Sequence, residues 1–251
     1  MMKLTIRYIV FVLLFSCATV ASAQIGQHRN DFSIGVNGGY TLSNVGFTPK
    51  VTQSLLGGTT AGLSWRYVCE KYFSTICSIY AECNYVSLGW NERILTTDEK
   101  PVINAVTGIA ETYSRDINYI QVPVFAHLAW GRETSGVQFF FQAGPQFGFM
   151  LNEKTHANFD LEHRNLADRS NQTCEQESMP VENKFDYGIA AGLGLEFSAR
   201  RVGHFLLEGR YYYGLGNIYG DSKKDYFAKS NINNIVVKLT YLFDITRTKK
   251  Q

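Results

Sequence analysis

Past its first two dozen residues, this 251-residue chain has no apolar run of about 18 residues, so nothing there reads as a helical membrane span. Charge is also scarce. The formal net charge is only +2, which offers nucleic acid no basic face, and no nucleic-acid partner is expected. Its five cysteines include no Cys-x-x-Cys pair of the kind structural zinc requires. Gly-x-Ser-x-Gly, Walker A and dinucleotide fingerprints are missing too. Gly192-Leu193-Gly194 sits in strand-like sequence, without the following helix that a phosphate site needs. Neither an enzyme nor a resident cofactor is expected.

What is present begins at the N-terminus. Lys3 and Arg7 precede the apolar run Ile9 to Phe15, and Ala21-Ser22-Ala23 provides a small-residue exit before Gln24. That order predicts a secretory signal peptide over 1–23, cleaved after Ala23. Two alternatives stand beside it. One is a retained helix, for which the run is short. The other is lipoprotein processing at Cys17, where Phe15 is bulky for a lipobox. The remaining cysteines, Cys69 (placed at a turn), Cys77, Cys83 and Cys174, are even in number, as an exported disulfide framework would be. Cys77 and Cys83 share the lipid-side face of one strand, however, and Cys174 lies in a distant loop. All four are expected unpaired.

The period of the remaining sequence is two. From Phe185 the odd positions are Phe, Tyr, Ile, Ala, Leu, Leu and Phe; the even ones are Asp, Gly, Ala, Gly, Gly, Glu and Ser. Residues 137–150 and 118–130 repeat the pattern. Further strands fall near 32–42, 59–68, 73–90, 204–215 and 234–243, with 73–90 the noisiest. One apolar face and one small or polar face is the alternation of a strand with lipid on one side and a lumen on the other. The links after alternate strands are short (69–72, 131–136, 200–203) and long (43–58, 91–117, 152–184, 216–233). The expected fold is therefore all-β: an eight-stranded antiparallel up-and-down transmembrane barrel with short periplasmic turns and long extracellular loops. Its segments would be a periplasmic stretch 24–31, the barrel 32–243 and a basic tail 244–251. Aromatic positions bracket an aliphatic band. Trp65, Tyr67, Trp130, Tyr241 and Phe243 mark one rim, and Tyr187, Tyr211 and Tyr213 mark the other, as the two interfacial girdles of such a barrel do. The alternative is that these aromatics form the core of a soluble sandwich or cup.

Parity places Arg66, Glu82, Asp186, Glu196, Glu208, Arg210 and Lys238 inside the barrel. Both signs occur in similar number, and withdrawn charges must be paired or hydrated. An eight-stranded lumen is just wide enough for side chains to fill, so a network of ion pairs plugging it is expected, with Gly188, Gly192 and Gly194 making room. His127 reads as an interior residue and His204 as a rim residue, neither of them placed for chemistry on an outer leaflet. His156, Asp160 and His163 would share a face if their loop were helical, but no further ligand supports a metal there.

The strands also resemble the PorT-like family of outer-membrane barrels of Bacteroidetes. The resemblance is carried by residues 35–44 (GVNGGYTLSN), Tyr119 to Val124, Gly144-Pro145, Phe185 to Gly188 with Gly192 to Glu196, and Arg210 to Ile218. It implies an integral outer-membrane barrel, and its founding member assists type IX protein export. Barrel motifs report folding rather than partners. The leading expectation is a non-enzymatic, monomeric outer-membrane protein whose lumen is filled and whose external loops serve surface interaction or envelope integrity. Its partners would be outer-membrane lipid and envelope or secretion proteins. The alternatives are an export accessory, an outer-leaflet lipid-modifying enzyme and a narrow channel.

Overall fold

The computed structural model describes residues 26–133, 135–200, 202–220 and 225–248. The expected signal peptide 1–23 with Cys17, and Lys249, Lys250 and Gln251 of the expected tail, lie outside the described residues. Eight long strands make up the fold: β1 (Gln27–Thr48), β2 (Leu56–Tyr72), β3 (Thr75–Glu92), β4 (Tyr113–Gly131), β5 (Gly136–Ala157), β6 (Phe185–Ala199), β7 (Gly203–Gly214) and β8 (Lys229–Thr246). Each pairs antiparallel with its sequence neighbours, and β1 pairs with β8 to close the ring. A two-residue strand, Gln53–Ser54, adds to the end of β3. Among the described residues closure leaves no long strand with an unpaired edge, the condition for a sheet to cross a bilayer. At the β1–β8 seam a Cβ on Gly35 would stand 1.7 Å from the Tyr241 carbonyl oxygen, so only glycine permits the backbones to approach there.

The two rims differ. Links at one end, 73–74, 132–135 and 200–202, are short in sequence; links at the other, 49–55, 93–112, 158–184 and 215–228, are longer. The barrel is taller than the alternation suggested. β1 starts at Gln27, so most of 24–31 is strand rather than a leading segment, and β8 takes in Asp244–Thr246 of the expected tail. Cys69 lies within β2, at a register shift, and not in a turn. The four cysteines of the described residues are free.

Polarity reverses along the strands. Toward the short-turn end, β1 turns Ile34, Val36 and Tyr40 outward and buries Ser33, Asn37 and Thr41. Higher up it buries Val45 and Phe47, leaving Thr48 exposed. In β3 the buried residues run from Ser78, Glu82 and Asn84 to Val86, Leu88 and Trp90. The lower barrel is thus apolar outside and polar inside, as a membrane requires. The upper part packs a largely apolar interior and is polar outside, like a barrel in water. From Tyr40 to Thr48 the tilted strand runs about 26 Å along its own axis, at roughly 3.3 Å per residue, so it continues well past the apolar band.

Candidate functional site

The lumen is filled at three levels. The middle level is a compact ion cluster contributed by β3, β7 and β8. Glu82 accepts from Arg210 Nη1 at 2.9 Å and Nη2 at 3.1 Å, and also pairs with the Lys238 ammonium. Glu208 accepts from Arg210 Nε at 2.7 Å and lies 3.2 Å from Lys238 Nζ. All four side chains are essentially shut off from solvent, so two cations answer two carboxylates. Asn84 Nδ2 donates to Glu82 Oε2 at 2.7 Å and Gln142 Nε2 to Glu208 Oε1 at 2.6 Å, each sharing an oxygen that also accepts from Arg210. The Arg210 guanidinium lies 4.5 Å from the centre of the Phe125 ring, its planar charge over a π face. Gly192 makes room for Glu208, whereas Gly188 and Gly194 admit the rings of Tyr212 and Phe140 rather than long cations.

Arg66 and Glu196 form a second pair at 2.6 Å, nearer the short turns. Asp186 departs from the expected network. It is buried but accepts the Tyr212 hydroxyl at 2.6 Å, and no cation bonds it among the described residues. His127 is fully buried, with Nδ1 3.0 Å from Gln142 Oε1.

Above the ion cluster, the long links fold down into the mouth. Phe159, Val181, Ile218, Tyr219 and Phe227 pack with Phe47, Leu88, Trp90 and Tyr113 of the strands in one buried apolar core. Phe47 stands edge-on to Trp90 at 5.3 Å and tilts on Phe227 at 4.9 Å. The segment 174–179 is tied in through its backbone: Tyr113 and Tyr219 hydroxyls donate to the Gln176 carbonyl at 3.4 and 3.2 Å, and Arg115 reaches the Met179 and Glu177 carbonyls. Arg169 bridges Glu111 (2.8 Å) and Glu177, and Arg164 adds a contact to Glu177 at 3.1 Å. Burial opposes charge on Glu111, yet hydrogen bonds from Asn165, Arg169 and Asn104 hold its carboxyl below the usual range.

Glu92 accepts from Trp90 Nε1 at 3.0 Å and Gln176 Nε2 at 3.1 Å. It lies seven residues above Tyr85, the last large outward apolar side chain of β3, and so outside the apolar band. Burial, reinforced by the nearby Glu177, pushes its carboxyl up to about 7. The sequence offered little warning of this cap, since its apolar residues are scattered through links that read as polar.

The outward aromatics occupy both ends of the apolar band. Tyr187, Tyr211, Tyr213 and Phe243 are exposed, and Trp65, Tyr67, Trp130 and Tyr241 are half-buried. Trp130 stacks on Phe139 at 6.1 Å and Phe205 tilts on Tyr241 at 5.1 Å. His156 lies in β5, 3.3 Å from Asp116, while Asp160 and His163 sit in an irregular link, so the three share no helical face.

At the short-turn rim, Ser198 Oγ lies 2.8 Å from His204 Nδ1, and His204 Nε2 lies 3.1 Å from Asp244 Oδ2. A hydroxyl, an imidazole and a carboxylate in series are the parts of a nucleophilic relay. The geometry does not make one. Glu196 Oε1 stands 2.6 Å from the same Nδ1, so both ring nitrogens face carboxylates and none is left as a base for Ser198, itself only 2% exposed. Register β6–β7, which pairs Ser198 with His204, creates this cluster; period-two reading cannot see it.

The sequence profile of a family described as "Outer membrane protein beta-barrel domain" matches residues 22–220. No match was found among curated protein sequences. Solved structures similar to this chain include Neisserial surface protein A (8% identity over 84% of this chain and 95% of that one, TM-score 0.41). OprG of Pseudomonas aeruginosa is 11% identical over 87% of this chain and 98% of that one, with a TM-score of 0.40. Ail of Yersinia pestis, solved with the heparin analogue sucrose octasulfate, is 14% identical over 84% and 99%, with a TM-score of 0.36.

Proposed function

The chain belongs to the outer membrane protein beta-barrel domain family, and on that premise we propose that it is a closed, non-conducting scaffold presenting a rigid cap at the cell surface. Its short turns face the periplasm and its capped mouth faces outward. The observation that carries this reading is the pair of seals in series, the Glu82–Arg210–Glu208–Lys238 cluster and, above it, the buried apolar core around Phe47 and Trp90. The outward aromatics at the two ends of the band serve as interfacial girdles in contact with outer-membrane lipid. Function then resides in what the polar outer surface of the cap touches, in surface interaction or envelope integrity, and the protein is not an enzyme. Lipid-modifying chemistry gains no support, because His127 is buried in the lumen and the Ser198–His204–Asp244 set lies at the opposite rim from the outer leaflet.

Within the family, the order of strand motifs supports a place beside the PorT-like barrels of Bacteroidetes. The test of the scaffold reading is reconstitution in planar bilayers together with external proteolysis of whole cells. A heat-modifiable barrel without discrete conductance steps, cut first in 93–112 or 158–184, is expected. Stepwise conductance, or cleavage confined to 73–74, 132–135 and 200–202, overturns it.

A further inference from the structure

A cavity of about 260 Å³ opens at the short-turn end, below the Arg66–Glu196 pair. Its floor is part apolar (Val68, Ile76, Ala129) and part polar (Ser78, His127, Gln138), Arg29 is buried in its wall, and the exposed Arg200 and Arg247 stand at its mouth. Four arginines and His204 face four carboxylates there, and the carboxylates are already committed. Glu133 is shared by Arg29 and Lys71 (2.9 Å). Glu196 is shared by Arg66 and His204, at 2.6 Å each. Asp244 accepts from Ser33 at 2.5 Å and from His204 and Arg247, and Asp31 accepts the Thr248 amide. What remains is an excess of donors. Arg29 Nε, Arg66 Nε and Gln138 Nε2 are buried and have no acceptor among the described residues. Those three atoms are closed off from the cavity itself; it is the sharing of its carboxylates that leaves the lining cations short of acceptors, so a group that brings acceptor oxygens is stabilised there.

We propose that this cavity is a binding site for a small oxyanion, a carboxylate or a phosphate, held chiefly by Arg29 and Arg66, with Arg200 and Arg247 guarding the mouth. Planar guanidinium forks suit both anions, and the apolar floor accommodates a short carbon chain behind the charged head. That the site faces the periplasm rests on the orientation proposed above; its chemistry does not. The site is separate from the cap and the central ion cluster, and its ligand would come from below the membrane.

The test is calorimetric titration of the full chain, folded in detergent, with inorganic phosphate and with N-acetylglycine as the phosphate and carboxylate probes. One saturable site with a dissociation constant below about 1 mM for at least one probe is expected. Arg29→Gln weakens binding at least about tenfold, the loss of one charged hydrogen bond. That variant leaves Glu133 paired with Lys71, so folding, checked by heat-modifiability, is retained. Two further variants decide the matter if it does not fold. Arg200→Gln, at an exposed turn, weakens binding, and Ala129→Leu, which fills the floor, removes it. No saturable heat with either probe, or affinity unchanged in the folded variants, overturns the proposal. Because the readout is binding in detergent, neither conductance nor loop topology bears on it.

Discussion

Replacing Glu82 by glutamine tests whether the central cluster is a matched set. In the native lumen Arg210 and Lys238 are answered by Glu82 and Glu208, all buried. Glutamine keeps the shape and one acceptor oxygen but deletes a charge, so two buried cations then share Glu208 alone. Breaking a buried pair by removing one partner costs about 3–5 kcal/mol, because the other charge is left uncompensated. That corresponds to a fall of roughly 140- to 3,700-fold in the folding equilibrium constant, at tenfold per 1.4 kcal/mol. The assay is reversible urea unfolding into lipid vesicles, followed by tryptophan emission. A second change, Lys238→Met, made on top of Glu82→Gln, restores neutrality and should recover most of the loss. If Glu82→Gln unfolds within about 0.5 kcal/mol of the parent, the size of an ordinary surface change, the cluster is hydrated rather than sealed and the reasoning fails.

Three further outcomes follow from the geometry. Gly35→Val puts a side chain into the Tyr241 carbonyl and should abolish the heat-modifiable band, whereas Gly38→Ala, whose nearest neighbour is 3.8 Å away, should fold. Glu92 has a raised carboxyl pKa, so its contribution to cap stability is complete below the ordinary carboxylate range and is lost as pH rises through about 7. Glu111, held low, keeps its full contribution across that window. Proteolysis of 158–184 should therefore be slower at about pH 5.5 than at about pH 8, and Glu92→Gln should flatten the difference. Trp90→Ala leaves a void in the cap core, costs about 3–5 kcal/mol and should raise loop cleavage while conductance stays absent, since the ion cluster below still seals. Conductance in that variant would show the cap to be the sole barrier.

Much of the barrel was legible because alternation with a membrane on one side is a one-dimensional signal. The strand 185–199 and its inward Asp186, Glu196 and glycines are where parity put them. The noise in 75–92 has a physical cause: the inward positions pass from Ser78 and Glu82 to Leu88 and Trp90, so a steady alternation changes sign midway. The same change made the ends of β1 and β5 read as loop. Parity gives the side of the sheet but not the partner, and Asp186 therefore looked like a member of an ion network when it answers Tyr212. Contacts that need ring closure or loop docking, such as Glu177 with Arg169 or Ser198 with His204, leave no periodic trace.

The reversal of polarity along the strands means that the passage is stoppered twice, by materials that fail under different conditions. The lower stopper is held by charge and hydrogen bonds; its interior is shielded from salt, and its weakness is loss of charge balance. The upper one is held by apolar burial, which slackens on cooling and in urea but is indifferent to the protonation of Glu82 or Glu208. Cold can loosen the lid while the charge lock below stays shut, and a mutation that unbalances the lock leaves the lid in place. A leak would need both faults together, a redundancy suited to a wall that must stay tight as its surroundings change.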